Sequence, residues 1–276
     1  MNASPELSAR RQAFRKLHES GCFVIPNPWD AGSARFLQSL GFKALATTSS
    51  GAAWRHAEAD GHMAVDAVLD HLREMVAATD LPVNADFEAG YAADPEGVAR
   101  NVRLAVETGV AGLSIEDSTG VPEEPLREIA DAVERMRAAR AAIDATGGET
   151  LLVGRAENFY LGRPDLDDTI RRLQAYAEAG ADCLYAPGIR TREQITAVVR
   201  AVAPKPVNLL VGAVTELTLR DIEDLGVRRV SVGGALARSA WGGFMRAARM
   251  IATEGRFDGF AGAASGAELN ALFGRG

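Results

Sequence analysis

The run TGVAGLSI, residues 108–115, places a glycine at the end of a helical stretch and follows it with a short apolar segment. The same arrangement recurs at residues 40–45, 179–185 and 225–232. Glycine suits the left-handed position just after a helix, where a Cβ atom would be strained. The apolar segments are short and almost continuous, as expected for strands that are buried on both faces. The repeat therefore predicts helix–strand units.

Four further apolar runs lack that glycine and complete a set of eight candidate strands. The eight are predicted to begin near residues 22, 43, 82, 112, 151, 182, 206 and 228. Helical periodicity between them predicts helices over residues 65–78, 95–108, 125–145, 166–179, 191–203 and 217–225. This alternation indicates parallel βαβ units, and eight of them favour a closed (β/α)8 TIM-type barrel. The alternative is a doubly wound open sheet, which is disfavoured because no Gly-x-Gly-x-x-Gly turn follows the first strand.

Length and composition fit one barrel domain over residues 1–276, with an extra helix at 6–19 and a tail from about 255 to 276. The tail is rich in Gly and Ala, and we expect it to contact another subunit. The net charge of −7 argues against non-specific nucleic-acid binding. No run of about 18 apolar residues predicts a membrane span, and the polar start does not resemble a signal peptide. Only two cysteines occur, so a cytoplasmic location is expected.

Three carboxylates follow the third and fourth candidate strands, at the end where barrel enzymes carry their functional residues. They are Asp86, Glu88 and Glu116. Because neighbouring strands lie about 5 Å apart, these groups would be crowded together. Crowded carboxylates repel one another unless they share a proton or bind a cation, and all-oxygen ligands favour Mg²⁺ or Mn²⁺. The alternative is that some of them are solvated or salt-bridged loop residues.

Arg155 ends the fifth candidate strand, after an apolar run. A guanidinium in that place can bind a carboxylate or phosphate through two hydrogen bonds, although it could instead pair with Glu116. Thr48, Ser49 and Ser50 follow the second strand, and their hydroxyl and backbone N–H groups suit an anion. Small polar runs of this kind are also ordinary loops.

Five segments together resemble one enzyme superfamily. They are PVNADFEAGY (82–91), GLSIED (112–117), VGRAE (153–157), AYAEAGAD (175–182) and WDAGSAR (29–35). Taken in chain order, they resemble the isocitrate lyase/phosphoenolpyruvate mutase superfamily, over about residues 20 to 245. The resemblance implies a barrel whose C-terminal helix is swapped between subunits of a homodimer or homotetramer. It also implies Mg²⁺ (or Mn²⁺) chemistry on a small 2-oxo or 2-hydroxy carboxylic acid through an enolate.

The resemblance also implies roles for individual residues. Asp86 would bind the metal directly, Glu88 and Glu116 would bind its water ligands, and Asp60 would lie close by. The implied catalytic residues are Arg155, Glu116 and Asp60. The implied substrate-binding residues are Thr48, Ser49, Ser50, Arg155 and Asn208.

The segment after the fourth strand departs from the superfamily pattern. The lyases carry a cysteine acid/base in this loop, whereas residues 117–126 here read DSTGVPEEPL and contain no Cys, His or Lys. Cys22 and Cys183 fall in predicted strands and do not replace it. The general acid/base is therefore unassigned, with His56, Glu123 and Tyr91 as weak candidates.

These observations rank several functions. A carbon–carbon lyase acting on a 2-hydroxy- or 2-oxo-dicarboxylate comes first. Phosphoenolpyruvate or phosphonopyruvate chemistry, as a mutase or hydrolase, comes second. An oxaloacetate hydrolase or decarboxylase comes third, since it needs the least from the short loop. The remaining alternative is a protein that binds a 2-oxo acid without turnover.

Overall fold

Eight parallel strands form one sheet that curls into a nearly closed barrel in the computed structural model, which describes residues 4–274. The strand order around the barrel is β1-β8-β7-β6-β5-β4-β3-β2. The strands are β1 (Phe23–Ile25), β2 (Leu45–Ala46), β3 (Val83–Asp86), β4 (Gly112–Glu116), β5 (Leu151–Arg155), β6 (Cys183–Tyr185), β7 (Val207–Leu210) and β8 (Arg229–Ser231). Each begins within two residues of its predicted start, and the predicted (β/α)8 TIM-type barrel is confirmed.

The barrel is completed between β1 and β2 by single hydrogen bonds in place of a full ladder. The backbone N–H of Ala46 donates to the carbonyl of Pro26 at 3.1 Å. The side chain of Asn27 donates to the carbonyl of Thr47 at 2.8 Å and accepts from the backbone N–H groups of Val232 and Gly233. Asn27 thus connects the carboxyl ends of β8, β1 and β2, which form the rim of the cavity described below.

Helices surround the barrel and connect its strands. They are α1 (Pro5–Leu17), α2 (Ala31–Ser39), α3 (Ser49–Arg55), α4 (Val65–Ala78), α5 (Pro95–Glu107), α6 (Ile129–Ala145), α7 (Leu166–Glu178), α8 (Arg192–Val202), α9 (Leu219–Asp224), α10 (Ala235–Glu254) and α11 (Gly266–Phe273), with a 3₁₀ turn at Asp258–Phe260. The extra N-terminal helix and the six predicted connecting helices are all present. Helix α2 is the helical stretch expected before the glycine of residues 40–45, and α10 is the C-terminal helix that the resemblance implies, whereas α3 was not predicted.

Two local differences have clear physical causes. Residues 49–55 form α3 instead of a loop, because the Thr48 side chain accepts a hydrogen bond from the Gly51 N–H and caps the helix. The helix predicted from residue 125 begins only at Ile129. The preceding residues form a tight hairpin in which Ser118 pairs with Leu126, and the Arg127 N–H donates to the Asp117 carbonyl.

The C-terminal part of the chain lies outside the barrel wall. Helix α10 has 20 residues, of which only Ala237 is buried, and its Trp241 and Phe244 side chains are exposed. The predicted exchange of this helix between subunits stays a prediction. Residues 1–3 and 275–276 of the predicted domain lie outside the described residues. Within residues 4–274, no helix is both long enough and apolar enough to cross a membrane.

Candidate active site

A cavity of about 580 Å³ opens at the carboxyl ends of the strands and extends into the barrel. Seven of the predicted site residues line it: Thr48, Ser49, Ser50, Asp60, Asp86, Arg155 and Asn208. The predicted metal residues Glu88 and Glu116 are not on its surface. Glu116 lies beside Arg155, and the Glu88 side chain is hydrogen-bonded to Tyr91. Most of the candidate residues predicted from the sequence therefore lie around one cavity.

Arg155 is the centre of the site. Its Nη1 atom lies 3.1 Å from Asp86 Oδ1 and 3.1 Å from Glu116 Oε2, and its Nε donates to Glu157. The guanidinium carbon lies 5.2 Å from the centroid of the Tyr185 ring, within the range of a cation–π contact. The pairing with Glu116 that the sequence left open is present. Burial lowers the pKa of Arg155, but the three carboxylates outweigh it and raise that pKa well above its usual value.

Asp86 lies at the end of β3, where two backbone amides fix its position. Its own N–H donates to the Thr47 hydroxyl at 2.9 Å, and its Oδ2 accepts from the Ser49 N–H at 3.0 Å. Ser49 is the first residue of α3, so the carboxylate faces the positive end of that helix. The Thr48 and Ser50 hydroxyls lie 3.0 Å apart beside it. This part of the cavity surface thus combines one carboxylate with several hydrogen-bond donors.

The carboxylates around Asp86 disfavour one another's charge. Burial, together with the charges of Asp86, Glu116 and Asp60, raises the pKa of Glu88 to about 7. Burial also raises the pKa of Glu116, although Arg155 opposes this effect. The pKa of Asp60 is raised as well, first by burial, although its side chain reaches solvent at the cavity mouth. One arginine therefore does not neutralise this group of carboxylates.

The donor set fits a hard divalent cation. Every candidate ligand is a carboxylate oxygen, and such oxygens are the ligands that Mg²⁺ and Mn²⁺ prefer. Across residues 4–274, no three His, Cys, Asp or Glu side chains are placed to hold one ion together. Mg²⁺ commonly keeps several water ligands and needs only one or two protein carboxylates. An ion bound mainly through Asp86 is compatible with this arrangement.

A buried network supports the end of β5. Asp117 Oδ1 accepts from the Glu157 N–H at 2.9 Å, and Asp117 Oδ2 accepts from Tyr176 at 2.6 Å and from Arg172 at 3.1 Å. Asp117 is 1% exposed and Tyr176 is fully buried. The network fixes the backbone next to Arg155. Sequence reasoning missed it, because Tyr176 and Arg172 belong to α7 and only the tertiary fold brings them to Asp117.

The acid/base candidates from the sequence are not on the cavity surface. His56 ends α3, Glu123 is exposed at the tip of the hairpin, and Tyr91 packs edge-on against Phe87. Two tyrosines that the sequence did not single out do line the cavity. Tyr185 lies under Arg155, and Tyr160 is at the mouth with 59% of its surface exposed. A bulky polar residue at the end of a predicted strand was the only available signal for Tyr185.

Comparison with known proteins places this geometry in a family. The family model for phosphoenolpyruvate phosphomutase matches residues 14–252. A Burkholderia cenocepacia J2315 protein whose crystal structure is described as a lyase/mutase is 48% identical, with a TM-score of 0.95 over 98% of both chains. Oxaloacetate decarboxylase of Bradyrhizobium sp. (strain BTAi1) is 31% identical over 81% of this chain and 77% of its own length.

A third relative carries ligands in its structure. Phosphonopyruvate hydrolase in complex with oxalate and Mg²⁺ is 25% identical, with a TM-score of 0.84 over 95% of this chain and 94% of the other. These matches span nearly the whole barrel, and the resemblance noted from the sequence is confirmed. The chain belongs to the phosphoenolpyruvate mutase family, within the isocitrate lyase/phosphoenolpyruvate mutase superfamily of lyases and mutases that act on small carboxylates.

Proposed function

We propose that the chain is a Mg²⁺-dependent carbon–carbon lyase that decarboxylates a small 2-oxo dicarboxylate, of which oxaloacetate is the simplest, through an enolate. The observation that carries this proposal is the composition of the cavity surface. It combines the Asp86 carboxylate, the Arg155 guanidinium and the donors of residues 48–50. The hairpin that follows β4 contains no Cys, His or Lys side chain.

Different residues of the cavity would bind different parts of the substrate. Arg155 would bind the carboxylate next to the oxo group, since a guanidinium can pair with a carboxylate through two hydrogen bonds. The Thr48 and Ser50 hydroxyls would donate to the same end of the substrate. Asn208 is buried within the cavity and would contact the distal end. Glu116 would keep Arg155 oriented through the ion pair described above.

Asp86 would hold the Mg²⁺ (or Mn²⁺) directly, and Glu88 and Glu116 would hold its water ligands. When bound, the ion would act as a Lewis acid that stabilises negative charge on the oxo oxygen. The raised pKa of Glu88 supports this role, because its cause is burial among other carboxylates, a condition that a divalent cation relieves.

The reaction itself requires no acid or base side chain from the loop after β4. The bond between C3 and C4 breaks, its electron pair forms the enolate, and C4 leaves as carbon dioxide. The enolate then takes one proton at C3 to give the 2-oxo monocarboxylate. Asp60 lines the cavity and has a raised pKa, so it is our choice for this proton donor. Cleavage of a 2-hydroxy acid would also need a base to remove the hydroxyl proton, which makes the 2-oxo acid the better substrate here.

The exposed apolar side chains of α10 support a further part of the proposal. Trp241 is 40% exposed and Phe244 is 62% exposed on one helix. An apolar surface of this kind marks a contact with another chain, and a homodimer or homotetramer that exchanges α10 would bury it. Light scattering coupled to size exclusion tests this, because a monomer at micromolar concentration would contradict it.

The activity is tested by NMR with purified protein, Mg²⁺ and five candidates: oxaloacetate, isocitrate, 2-methylisocitrate, phosphonopyruvate and phosphoenolpyruvate. We expect conversion of oxaloacetate to pyruvate, well above its spontaneous rate in Mg²⁺ without protein. Asp86→Asn should remove the excess rate, whereas Asp70→Asn, at an exposed carboxylate with a side chain 79% accessible, should not. Turnover of another candidate in place of oxaloacetate would identify a different substrate. Binding without turnover of any candidate would contradict the enzyme proposal.

A further inference from the structure

A second arginine lies inside the barrel, and it lacks the ionic partners that surround the first. Arg229 begins β8, is only 3% exposed, and lines the inner part of the cavity. Among residues 4–274, no carboxylate lies within salt-bridge distance of its guanidinium, although 17 other arginine–carboxylate contacts occur there. Arginine remains protonated in proteins, so this is a buried charge without a counter-charge.

The hydrogen-bond partners of Arg229 are all neutral groups. Its Nε donates to Asn208 Oδ1 at 2.8 Å, and its Nη1 lies 3.4 Å from Asn84 Oδ1 and 3.5 Å from His18 Nε2. His18 Nδ1 lies 2.8 Å from the Phe14 carbonyl and must carry a hydrogen to bond it. The unprotonated Nε2 therefore faces Arg229. Burial and the charge of Arg229 lower the pKa of His18 to about 3, which keeps the ring neutral.

Two other titratable groups near Arg229 are also neutral at physiological pH. Burial raises the pKa of the Cys183 thiol and the pKa of the Tyr185 phenol, and the charge of Arg229 opposes the shift of Cys183 without reversing it. Neutral oxygens satisfy the N–H groups of a guanidinium, but they do not cancel its charge. Burying a charge without an ion of opposite sign is costly, because the solvation that it loses is not replaced.

The barrel interior next to Arg229 has room for a ligand. Barrel interiors are normally filled by branched apolar side chains. Here the inward positions of β3, β4, β7 and β8 carry Asn84, Ser114, Asn208 and Ser231, which are smaller and polar. All four line the same cavity as Arg229. The open space therefore continues from Asp86 and Arg155 down to the buried guanidinium.

We propose that Arg229, with Asn84, Asn208 and Ser231 around it, forms an anion site inside the barrel that binds a small carboxylate or a halide ion. The bound anion supplies the counter-charge that the surrounding residues lack. Its source is either a free inorganic ion or the distal carboxylate of a substrate whose other end is at Arg155. This site does not depend on the proposed decarboxylation, since halide binding requires no turnover.

Bromide provides a direct probe of this site. Crystals of the full chain soaked in potassium bromide should show an anomalous peak within hydrogen-bond distance of the Arg229 guanidinium. In solution, the melting temperature should rise with bromide when potassium HEPES, whose bulky anion has no carboxylate, keeps the ionic strength constant. Arg229→Gln should abolish the peak and the thermal response. Arg228→Gln is the matched control, because the neighbouring arginine points away from the barrel and contacts the Gly21 carbonyl.

Two further arms make the result decisive. Arg229→Lys keeps the charge, so it should retain a bromide response with an affinity weakened about tenfold, even if the glutamine variant does not fold. Soaking with malate then separates the two sources of the anion. Displacement of bromide by malate assigns the site to a substrate carboxylate, and bromide that persists beside bound malate assigns it to a resident ion. No peak at Arg229, or an equal response in the glutamine variant, would overturn the proposal.

Discussion

Arg155 and Arg229 lie in the same cavity and differ in almost every aspect of their surroundings. Arg155 contacts the carboxylates of Asp86, Glu116 and Glu157. Arg229 contacts two asparagines and a neutral histidine. The region around Arg155 therefore has an excess of negative charge, whereas the region around Arg229 has an excess of positive charge. A divalent cation suits the first region and an anion suits the second.

This difference would orient a dianionic ligand in the cavity. The end that carries the oxo group would lie among Arg155, residues 48–50 and a cation at Asp86. A distal anionic group would be favoured toward Arg229, because no carboxylate lies near it in the described part of the chain. Opposite charge excess in two halves of a cavity favours one binding orientation and disfavours the reverse by repulsion.

The largest effect should follow from removing the charge of Arg155. We expect Arg155→Gln to lower kcat/KM at least about 30-fold, because truncating one member of a buried charge pair costs roughly 2–5 kcal/mol. Arg155→Lys should lose less, since it keeps the charge but not the two-point geometry. Steady-state kinetics with oxaloacetate measures both. Equal kcat/KM in the wild type and the glutamine variant would remove Arg155 from substrate binding.

Asp117 tests the support beneath Arg155. The Asp117 carboxylate accepts hydrogen bonds from Glu157, Tyr176 and Arg172. In Asp117→Asn, an NH₂ group would replace one of the two accepting oxygens and would face these donors. We expect a loss of about 3 kcal/mol in the free energy of unfolding, measured by urea denaturation. Tyr176→Phe deletes a single hydrogen bond and should lose only about 1 kcal/mol. If the two variants lost equal stability, the network would not act as a buried charge centre.

A carboxylate placed beside Arg229 should give this arginine an ionic partner like those of Arg155. Asn208→Asp would turn the 2.8 Å hydrogen bond from Arg229 into an ion pair. In potassium HEPES buffer we expect it to stabilise the fold by about 1–2 kcal/mol and to abolish the thermal response to bromide. Asn270→Asp, at an exposed position on α11, should do neither. A destabilised Asn208→Asp that still responds to bromide would show that Arg229 does not need a counter-charge.

The smallest expected effect concerns acid. His18 has a pKa of about 3 in the folded chain, below its usual 6.5, because burial and Arg229 disfavour its charged form. Between about pH 6.5 and pH 3, His18 therefore binds a proton in the unfolded chain but not in the folded chain. Stability from this residue is fully present above about pH 6.5 and is lost as the pH falls toward 3. Relative to His18→Gln, the wild type should lose about 1–2 kcal/mol between about pH 6.5 and pH 5 in urea titrations. A difference that does not change with pH would contradict a neutral His18 at Arg229.

The sequence predicted the barrel and most of the candidate site for the same reason. Buried parallel strands are short apolar runs, and the residues that follow them meet at one end of the barrel. The sequence alone therefore predicts that Asp86, Glu116 and Arg155 lie close together, since they end β3, β4 and β5 in order. The sequence raised the Arg155–Glu116 ion pair only as an alternative and did not predict the Arg155–Asp86 pair, because side-chain rotamers decide which oxygen reaches which nitrogen.

Arg229 was not predicted for a different reason. It lies in the run RRVSV at residues 228–232, which was identified as a strand from its apolar positions. Strand side chains alternate between the two faces, so one of the two arginines must point inward. The sequence does not say which one, or that the neighbouring strands carry small polar residues at the same depth. Only the register of β7 and β8, which pairs Asn208 with Arg229, makes this clear.

The most direct test of the central claim is a calorimetric titration of oxalate, a mimic of the enolate, with and without Mg²⁺. The account predicts that Mg²⁺ tightens oxalate binding and that oxalate tightens Mg²⁺ binding by the same factor. Both effects should be lost in Asp86→Asn and retained in Asp70→Asn. Oxalate binding that is equally tight in EDTA, or unchanged in Asp86→Asn, would contradict the assignment of Asp86 as the residue that binds the metal.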